Sequence, residues 1–365
     1  MANGRSANGT GRIPSIGPAE IELLERLSNA VAVSGDEGAV RKIVLQEIEG
    51  LADEVRTDAL GNVLAVRRGE GERRLRVMVA AHMDEVGLML THDEGDGFFR
   101  IDKVGGVDER TLVGKPVLAG SKQTPGVIGA KPIHLSNASE WKQKVPLDGL
   151  RLDVGPGNGQ KVKVGDRAAF ATRFRVLGPS LLGKALDDRL GVAALILLLK
   201  NPPPNIDLLA AFTVQEEVGL RGARVAAYVL KPDLALVLDA VPAYDLPAHD
   251  ETENSTYNTR LGAGPAIYIA DRRTLSDPRL IRHLAATAEA HAIPYQFRQP
   301  GGGGTDAGSI HLQRGGIPSV SMSVPARYLH TAASLARRSD WENTVALAYR
   351  ALADLPEDIL QQPRP

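Results

Sequence analysis

Short segments that combine carboxylate and imidazole side chains recur along the chain, and each follows an apolar run or lies at a glycine-rich turn. These side chains bind divalent metal ions and move protons during hydrolysis. The segments, in chain order, are Ala81-His-Met-Asp-Glu-Val-Gly87, Ala185-Leu-Asp-Asp-Arg189, Thr213-Val-Gln-Glu-Glu-Val-Gly-Leu-Arg-Gly222, Leu238-Asp-Ala240 and Tyr328-Leu-His-Thr331. Such a pattern is typical of a hydrolase that collects the ligands of two metal ions from distant parts of its chain.

His82 and Asp84 follow residues 75–81, an apolar run that predicts a buried strand. In open α/β sheets, ligands bind beyond the carboxyl ends of the strands. His82 is therefore a candidate metal ligand, and Asp84 is placed to accept a hydrogen bond from its imidazole and select the tautomer. The alternative is a histidine at the start of a loop beside a solvated acid.

Asp187 and Asp188 begin a predicted helix. Aspartate is a preferred helix cap and stabilises the positive end of the helix dipole. One aspartate is enough for capping, so the other is free to bridge two cations. The pair alone does not decide between capping and metal binding.

Glu216 and Glu217 follow a second apolar run, residues 208–214. Two adjacent carboxylates repel at the end of a buried strand unless a cation or a proton is present. We therefore predict that Glu217 binds metal and that Glu216 is the general base, with a solvated strand end as the alternative. Asp239 repeats the arrangement after another apolar strand.

His330 follows a non-helical stretch that is able to carry its side chain across the top of the sheet. The segment Gly301-Gly-Gly-Gly-Thr-Asp-Ala-Gly308 lacks the Lys-Ser/Thr ending of a phosphate-binding loop. It predicts a turn whose bare backbone approaches a substrate. We expect Gly304 and Asp306 to contact that substrate.

Composition excludes several kinds of site. The 43 basic and 44 acidic residues give a net charge of −1, which offers no basic excess for nucleic acid. The chain has no cysteine, so any metal must be bound by histidine, aspartate or glutamate. The N-terminus has no secretion signal, and the longest apolar run, residues 190–199, is too short to span a bilayer. We expect a cytoplasmic protein without a membrane partner.

The order of predicted elements indicates an α/β fold. Residues 1–17 are rich in glycine, serine and asparagine and are predicted to be flexible. Short β-like runs without a helical period occupy residues 88–173 and predict a small inserted β-barrel-like domain. Residues 18–87 and 174–365 alternate strands and helices, which predicts a catalytic domain with a mostly parallel sheet and helices on both faces.

The combination of AHMDEVG, GKALDDR, TVQEEVGLRGA, GGGGTDA and YLHT, in this order, resembles the M42 family of metallo-aminopeptidases. This family includes the TET-type and the glutamyl or deblocking aminopeptidases, and the resemblance extends from about residue 18 to about residue 355. It implies an enzyme that removes N-terminal residues from peptides, with hydroxide shared by two metal ions as the nucleophile. It also implies that the insert is a dimerisation domain and that the chain forms a homo-oligomer, either a dimer or a dodecamer.

The resemblance also implies a role for each motif residue. His82, Glu217, Asp239 and His330 would be metal ligands, and Asp187 would bridge the two ions. Asp84 would orient the first histidine, and Glu216 would be the base. This ligand set suits zinc or cobalt, and its many oxygen atoms also allow manganese.

Other interpretations stay open from the residues alone. A related two-metal deacylase or carboxypeptidase would use similar ligands. A glycosidase is a further alternative, because some family members are described as endoglucanases, but it needs two carboxylates that flank a sugar bond. A metal-free scaffold would be expected to have lost a ligand or the base, and every such position is present here.

Overall fold

The computed structural model describes residues 13–72, 74–247, 259–299 and 301–364. Residues 1–12 of the segment that the sequence predicts to be flexible lie outside these ranges, as do residues 248–258. The described residues form a large mixed sheet with helices on both faces and a smaller closed barrel.

The α-helices in the described ranges are α1 (Pro18–Asn29), α2 (Gly38–Glu47), α3 (Leu186–Lys200), α4 (Arg221–Leu230), α5 (Pro278–Ala290), α6 (Ala307–Ile310) and α7 (Arg338–Ala353). Short 3-10 helices lie at Glu109–Thr111, Ile133–Leu135, Glu140–Lys142, Leu147–Gly149, Gly159–Lys161 and Ile359–Gln361. None of the helices in these ranges combines the length and the apolar character needed to cross a membrane.

The chain first forms three strands of the sheet, β1 (Glu54–Thr57), β2 (Val63–Arg67) and β3 (Leu75–His82). It then forms the barrel strands β4 (Gly87–Gly95), β5 (Phe98–Val104), β6 (Pro116–Ala119), β7 (Thr124–Gly129), β8 (Arg151–Asp153) and β9 (Arg167–Phe170). It returns to the sheet with β10 (Arg175–Leu177), β11 (Ser180–Gly183), β12 (Ile206–Thr213), β13 (Leu234–Pro242), β14 (Ala266–Tyr268), β15 (Gln296–Arg298), β16 (Ser319–Arg327) and β17 (Ser334–Arg337).

The apolar runs of the central strands reflect burial on both faces of the sheet. Successive residues of a strand point to opposite faces. Val77 and Val79 of β3 join the core formed with α1, α3 and α7, whereas Met78 and Ala80 join a second core formed with α4 and α6. Such strands have no polar face, so they show continuous apolar runs rather than alternation.

The sheet is mixed, so the prediction of a mostly parallel sheet holds only for its centre. Strands β12, β3, β13 and β16 are parallel neighbours. The outer pairs, β1 with β2, β2 with β12, β16 with β17, β17 with β11 and β11 with β10, are antiparallel. For strands that follow one another in the chain, the physical reason is the length of the connection: the two residues 178–179 between β10 and β11 can join only antiparallel neighbours.

The barrel lies in the chain between β3 and β10. Its strands close in the order β4-β5-β8-β7-β6-β9, which confirms the predicted barrel-like structure. Leu88, Leu90, Phe99, Ile101 and Leu152 belong to its own hydrophobic core. Closure leaves no strand edge exposed, and this allows six short strands to form a stable unit.

The carboxyl ends of the central parallel strands meet at one edge of the sheet. Thr213, the last residue of β12, pairs with His82, the last residue of β3. Strand β13 pairs with the other side of β3, and it carries Asp239 beyond the paired residues. The sheet therefore brings together side chains that are far apart in sequence.

Candidate active site

Five of the predicted side chains converge beyond the carboxyl ends of the central strands. His82 ends β3, Asp187 lies at the start of α3, Glu217 follows β12, Asp239 lies in β13 and His330 follows β16. They form two groups that share the aspartate of α3, one with His82 and Asp239 and one with Glu217 and His330. Within each group the ligand atoms all lie within 4.8 Å of one another, which suits a single ion.

The two carboxylate oxygens of Asp187 face different histidines. Oδ1 lies 3.1 Å from Nε2 of His82, and Oδ2 lies 3.4 Å from Nε2 of His330. Oδ1 of Asp239 is 3.7 Å from Nε2 of His82, and Oε2 of Glu217 is 3.3 Å from Nε2 of His330. This is the arrangement that a carboxylate needs in order to bridge two ions.

Both histidines present the same nitrogen to the carboxylates. Nδ1 of His82 lies 3.2 Å from the backbone carbonyl of Asp84, and Nδ1 of His330 lies 3.1 Å from that of Gly106. A carbonyl oxygen only accepts, so each Nδ1 donates a proton to it, and each Nε2 faces the carboxylates, where it would bind a metal ion. His330 has a φ of 58°, a left-handed conformation that few non-glycine residues adopt.

The cluster carries buried negative charge that its own residues do not balance. Burial raises the pKa of Glu217 to about 8 and that of Asp239 to about 6. For His330, burial acts to lower the pKa, but the charge of Glu217 and the hydrogen bond to Asp187 outweigh burial and raise it to about 10. Added positive charge from a cation would stabilise the ionised form of such crowded carboxylates. The donor set of imidazole and carboxylate groups fits divalent metal ions.

The adjacent residues Asp187 and Asp188 have different roles: one faces the histidines and the other caps the helix. Oδ1 of Asp188 accepts a hydrogen bond from the backbone N–H of Gly191 at 2.9 Å, as a helix cap does, and Oδ2 accepts one from that of His82 at 3.1 Å. Asp188 is fully buried, and the peptide bond between the two aspartates is cis. Asp187 is left to face the two histidines.

Asp84 contacts other parts of the site besides the imidazole of His82. Its carboxylate accepts hydrogen bonds from Oγ of Ser34 at 2.6 Å and from the backbone N–H groups of Glu216 at 3.0 Å and Glu217 at 3.2 Å. Burial would raise the pKa of Asp84, but hydrogen bonds from His82 and Ser34 lower it. A charged Asp84 thus fixes the backbone that presents both glutamates.

Glu216 and Glu217 point to different surroundings. Glu217 contacts His330, whereas the carboxylate of Glu216 has no hydrogen-bond donor within the part of the chain that the structure describes. Glu216 is held by its backbone and its side chain lines a cavity of about 760 Å³. A carboxylate placed in this way is available to accept a proton from a bound molecule.

The same cavity is lined by all five candidate ligands. It also has an apolar and aromatic part and an arginine-rich part. The apolar part includes Leu220, Tyr244, Leu246, Tyr268, Tyr328 and Leu329. The arginine-rich part is formed by Arg272, Arg273 and Arg298, next to Gly302, Gly303 and Gly304.

The family model described as M42 glutamyl aminopeptidase matches residues 61–347 of this chain. This range contains every candidate ligand, from His82 to His330, and the predicted base Glu216. The chain belongs to the M42 peptidase family. The resemblance carried by the motifs is thereby confirmed, and membership of the family makes the chain a peptide-bond hydrolase.

Individual M42 proteins and structures are similar over almost the whole chain. The lysyl aminopeptidase of Pyrococcus furiosus is 32% identical over 92% of this chain and 97% of its own. The structure of an aminopeptidase from the archaeon Desulfurococcus kamchatkensis has a TM-score of 0.88 and 36% identity, covering 94% of this chain and 97% of its own. The TET1 peptidase of Pyrococcus horikoshii, which can assemble into a tetrahedron or a large octahedral shell, has a TM-score of 0.79 and 34% identity, covering 92% of this chain and 99% of its own.

The two predicted substrate contacts, Gly304 and Asp306, lie in different surroundings in this M42 chain. Gly304 lines the cavity, as expected, but Asp306 does not. Its side chain is buried, with Oδ2 accepting a hydrogen bond from Oγ1 of Thr213 at 2.5 Å, and burial raises its pKa to about 7. The chain turns into α6 directly after Asp306, and this turn directs the carboxylate into the protein beneath the ends of the strands.

A buried ionic network supports the M42 site from below, and the sequence analysis missed it. Nζ of Lys184 lies 2.7 and 2.9 Å from the two carboxylate oxygens of Glu85, and Nη2 of Arg189 lies 3.3 Å from one of them. Arg189 also donates to the backbone carbonyls of Met83 and Asp84. The network thereby ties the start of α3 to the loop that follows His82.

Replacing Arg189 with methionine is expected to lower the free energy of unfolding by about 3–5 kcal/mol, the typical cost of removing one partner from a buried ionic network. The change leaves carbonyl groups of Leu27, Met83 and Asp84 without their donor, and the fully buried site does not admit water readily. Urea unfolding of both proteins in chelator measures the effect without a contribution from metal.

The matched control is Arg175→Met, which removes an exposed arginine from the outer strand β10. Its effect should stay within about 0.5 kcal/mol, as for most surface substitutions. Equal midpoints for the two variants would contradict a supporting role for the buried network.

Proposed function

We propose that this chain is a metal-dependent aminopeptidase that removes N-terminal residues from peptides and uses two divalent ions in the cavity. The observation that carries the proposal is the pair of ligand groups that share Asp187, each with one histidine and one further carboxylate. The named relatives that are similar over more than nine tenths of the chain are aminopeptidases, which supports this substrate class.

We assign His82, Asp187 and Asp239 to one ion, and Asp187, Glu217 and His330 to the other. When bound, the two ions would polarise the scissile carbonyl group and lower the pKa of a water molecule. Zinc or cobalt suits this mixture of imidazole and carboxylate, and manganese is also compatible with it.

Glu216 is the proposed general base. Its carboxylate lines the cavity and no donor from the described residues occupies it, so it can accept the proton of the attacking water. The same oxygen then gives that proton to the leaving amine. Asp84 holds the Glu216 backbone through the N–H group at 3.0 Å, which keeps the base in place between the two transfers.

We further propose that residues 88–173 are a dimerisation domain and that residues 18–87 with 174–365 are the catalytic domain. The separate closed barrel and its own core support this division. A homo-oligomer is the expected state, since the similar TET1 peptidase can assemble into shells. Whether it is a dimer or a dodecamer, and whether the protein is cytoplasmic, stay predictions from the sequence.

A substrate panel tests the proposal. It contains a peptide with a free N-terminus, the same peptide acetylated at the N-terminus, an N-acyl amino acid and a cello-oligosaccharide. We expect cleavage of the free peptide alone, from its N-terminus, with loss of activity in chelator and its return with zinc, cobalt or manganese.

Each other member of the panel tests one of the alternative functions. Release of the C-terminal residue from the acetylated peptide would indicate a carboxypeptidase, and hydrolysis of the N-acyl amino acid a deacylase. Hydrolysis of the sugar that persists in chelator would indicate a glycosidase. Peptide cleavage that is unaffected by chelator would reject the metal-dependent mechanism.

A further inference from the structure

The segment that carries His330 runs between the two hydrophobic cores of the protein. Leu329 packs against the core of the large sheet, whereas Ala332 belongs to the core of the barrel. The side chain of His330 is 39% exposed, so burial among other side chains does not by itself fix its position. Specific contacts must therefore direct its Nε2 to the carboxylates.

The barrel provides one of these contacts through the Gly105-Gly106 segment, which follows β5. The carbonyl oxygen of Gly106 accepts the hydrogen bond from Nδ1 of His330 at 3.1 Å, and Gly106 also lines the cavity. A hydrogen bond of this kind fixes the orientation of the imidazole ring and leaves the other ring nitrogen to the metal. A residue of the barrel thus orients a candidate ligand of the catalytic domain.

The barrel approaches this ligand group closely because residues 105 and 106 have no side chains. A Cβ atom on Gly106 would lie 3.0 Å from Nδ1 of His330. One on Gly105 would lie 2.8 Å from Cγ1 of Val86 and 3.3 Å from Cβ of Glu217, and Gly105 has a φ of 85°, which residues with side chains rarely adopt. These distances are shorter than ordinary van der Waals contacts, so a side chain at either position would displace a neighbour.

The other ligand group is held by different parts of the chain. Nδ1 of His82 is bonded to the carbonyl of Asp84, two residues further on, and Asp239 lies within β13 of the large sheet. All three residues lie outside the barrel. A change in the Gly105-Gly106 segment should therefore affect the group that contains His330 and not the group that contains His82.

We propose that Gly106 is a positioning residue for the ion assigned to Asp187, Glu217 and His330, so that the barrel sets the affinity for this ion alone. The inference rests on the proposed two-metal function and names a residue that acts through His330 rather than by contact with the ion. Loss of the partner that orients a metal-binding histidine typically costs about 10- to 100-fold in metal affinity. A backbone carbonyl is not removed by substitution, so the test adds a side chain at residue 106.

The variants are Gly106→Ala and Gly106→Val, which add side chains of increasing size beside His330. The matched controls are Gly129→Ala and Gly129→Val in the barrel strand β7, where an added Cβ atom would have no neighbour closer than 4.0 Å. Neither glycine has a left-handed φ. Zinc titration of the metal-free proteins, in competition with a fluorescent zinc chelator, measures the affinity for each ion. Urea unfolding in excess chelator shows whether each protein is folded without metal.

The wild type and both controls should bind two ions with the same affinities. In the Gly106 variants one ion should bind about 10- to 100-fold more weakly, with the larger loss for valine, and the other ion within about threefold of the wild type. The urea midpoints of the variants should match those of the controls. The His330→Ala background identifies the affected ion: one ion should remain there, and neither substitution at Gly106 should change its affinity.

Equal weakening of both ions, unchanged affinity for both, or an effect that persists in the His330→Ala background would overturn the inference. If Gly106→Val does not fold, Gly106→Ala decides, and failure of both to fold beside folded controls would show a structural role instead. A wild type that binds fewer than two ions would overturn the inference together with the two-ion site. A wild type that binds two ions but releases no N-terminal residue would reject the aminopeptidase proposal alone, and the zinc affinities would still decide the role of Gly106.

Discussion

Replacing Glu216 with glutamine should lower kcat by about 10²- to 10⁴-fold, the usual contribution of a general base. Glutamine has almost the same shape but does not take up a proton at neutral pH. The backbone N–H of residue 216 would still donate to Asp84, so the fold and the ligand groups should be preserved. Steady-state kinetics on a peptide with a free N-terminus, combined with metal analysis, measures both parts of the expectation.

A control variant and a metal measurement show whether the loss of kcat is due to loss of the general base. Glu357→Gln removes an exposed carboxylate far along the chain, beyond the family match, and should leave kcat unchanged. Glu216→Gln should keep the metal content of the wild type. Near-normal turnover would refute the role of Glu216, and loss of metal would place it among the ligands instead.

Removing the shared carboxylate should have a larger effect on metal binding than removing any other ligand. In the Asp187→Ala variant both ligand groups lose a member, so the metal content should fall from about two ions per chain to near zero, with loss of activity. His330→Ala disrupts only the group that contains Glu217, so one ion should remain with His82 and Asp239. Elemental analysis after gel filtration measures these ratios.

Thermal unfolding gives an independent measurement of the same prediction. A ligand at 1,000 times its Kd stabilises a native protein by about 4 kcal/mol, so zinc should raise the Tm of the wild type. The same addition should leave the Tm of Asp187→Ala almost unchanged. If this variant still bound two ions per chain, the proposal that Asp187 bridges them would be wrong.

Much of the candidate site could be predicted because its residues lie in short segments at the ends of apolar strands. The positions of His82 and Asp239 after such runs follow from the rule that ligands bind beyond the carboxyl ends of parallel strands. The adjacent pair Glu216-Glu217 indicated a split into a base and a ligand, and the structure places these two side chains in different surroundings. The roles themselves stay predictions until the variants are measured.

The hydrogen bonds between residues far apart in the chain could not be predicted from the sequence. Asp84 accepts from the backbone of Glu216, 132 residues away, and His330 donates to the carbonyl of Gly106, 224 residues away. Backbone groups are present at every residue, so no motif marks the ones that a site uses. The sequence also leaves open where Asp306 points: a polar residue in a glycine-rich turn can face the cavity or the core, and in the structure its carboxylate contacts Thr213 in the core.

Sequence alone was sufficient for the family, the barrel within an α/β protein and the side chains that could bind metal, because each leaves a local pattern of residue types. Only the tertiary structure decided the strand directions at the edges of the sheet, the hydrogen-bond partners of the two histidines and the burial of Asp306. These features depend on which distant atoms come within a few ångströms of one another, and the packing of the whole chain determines that.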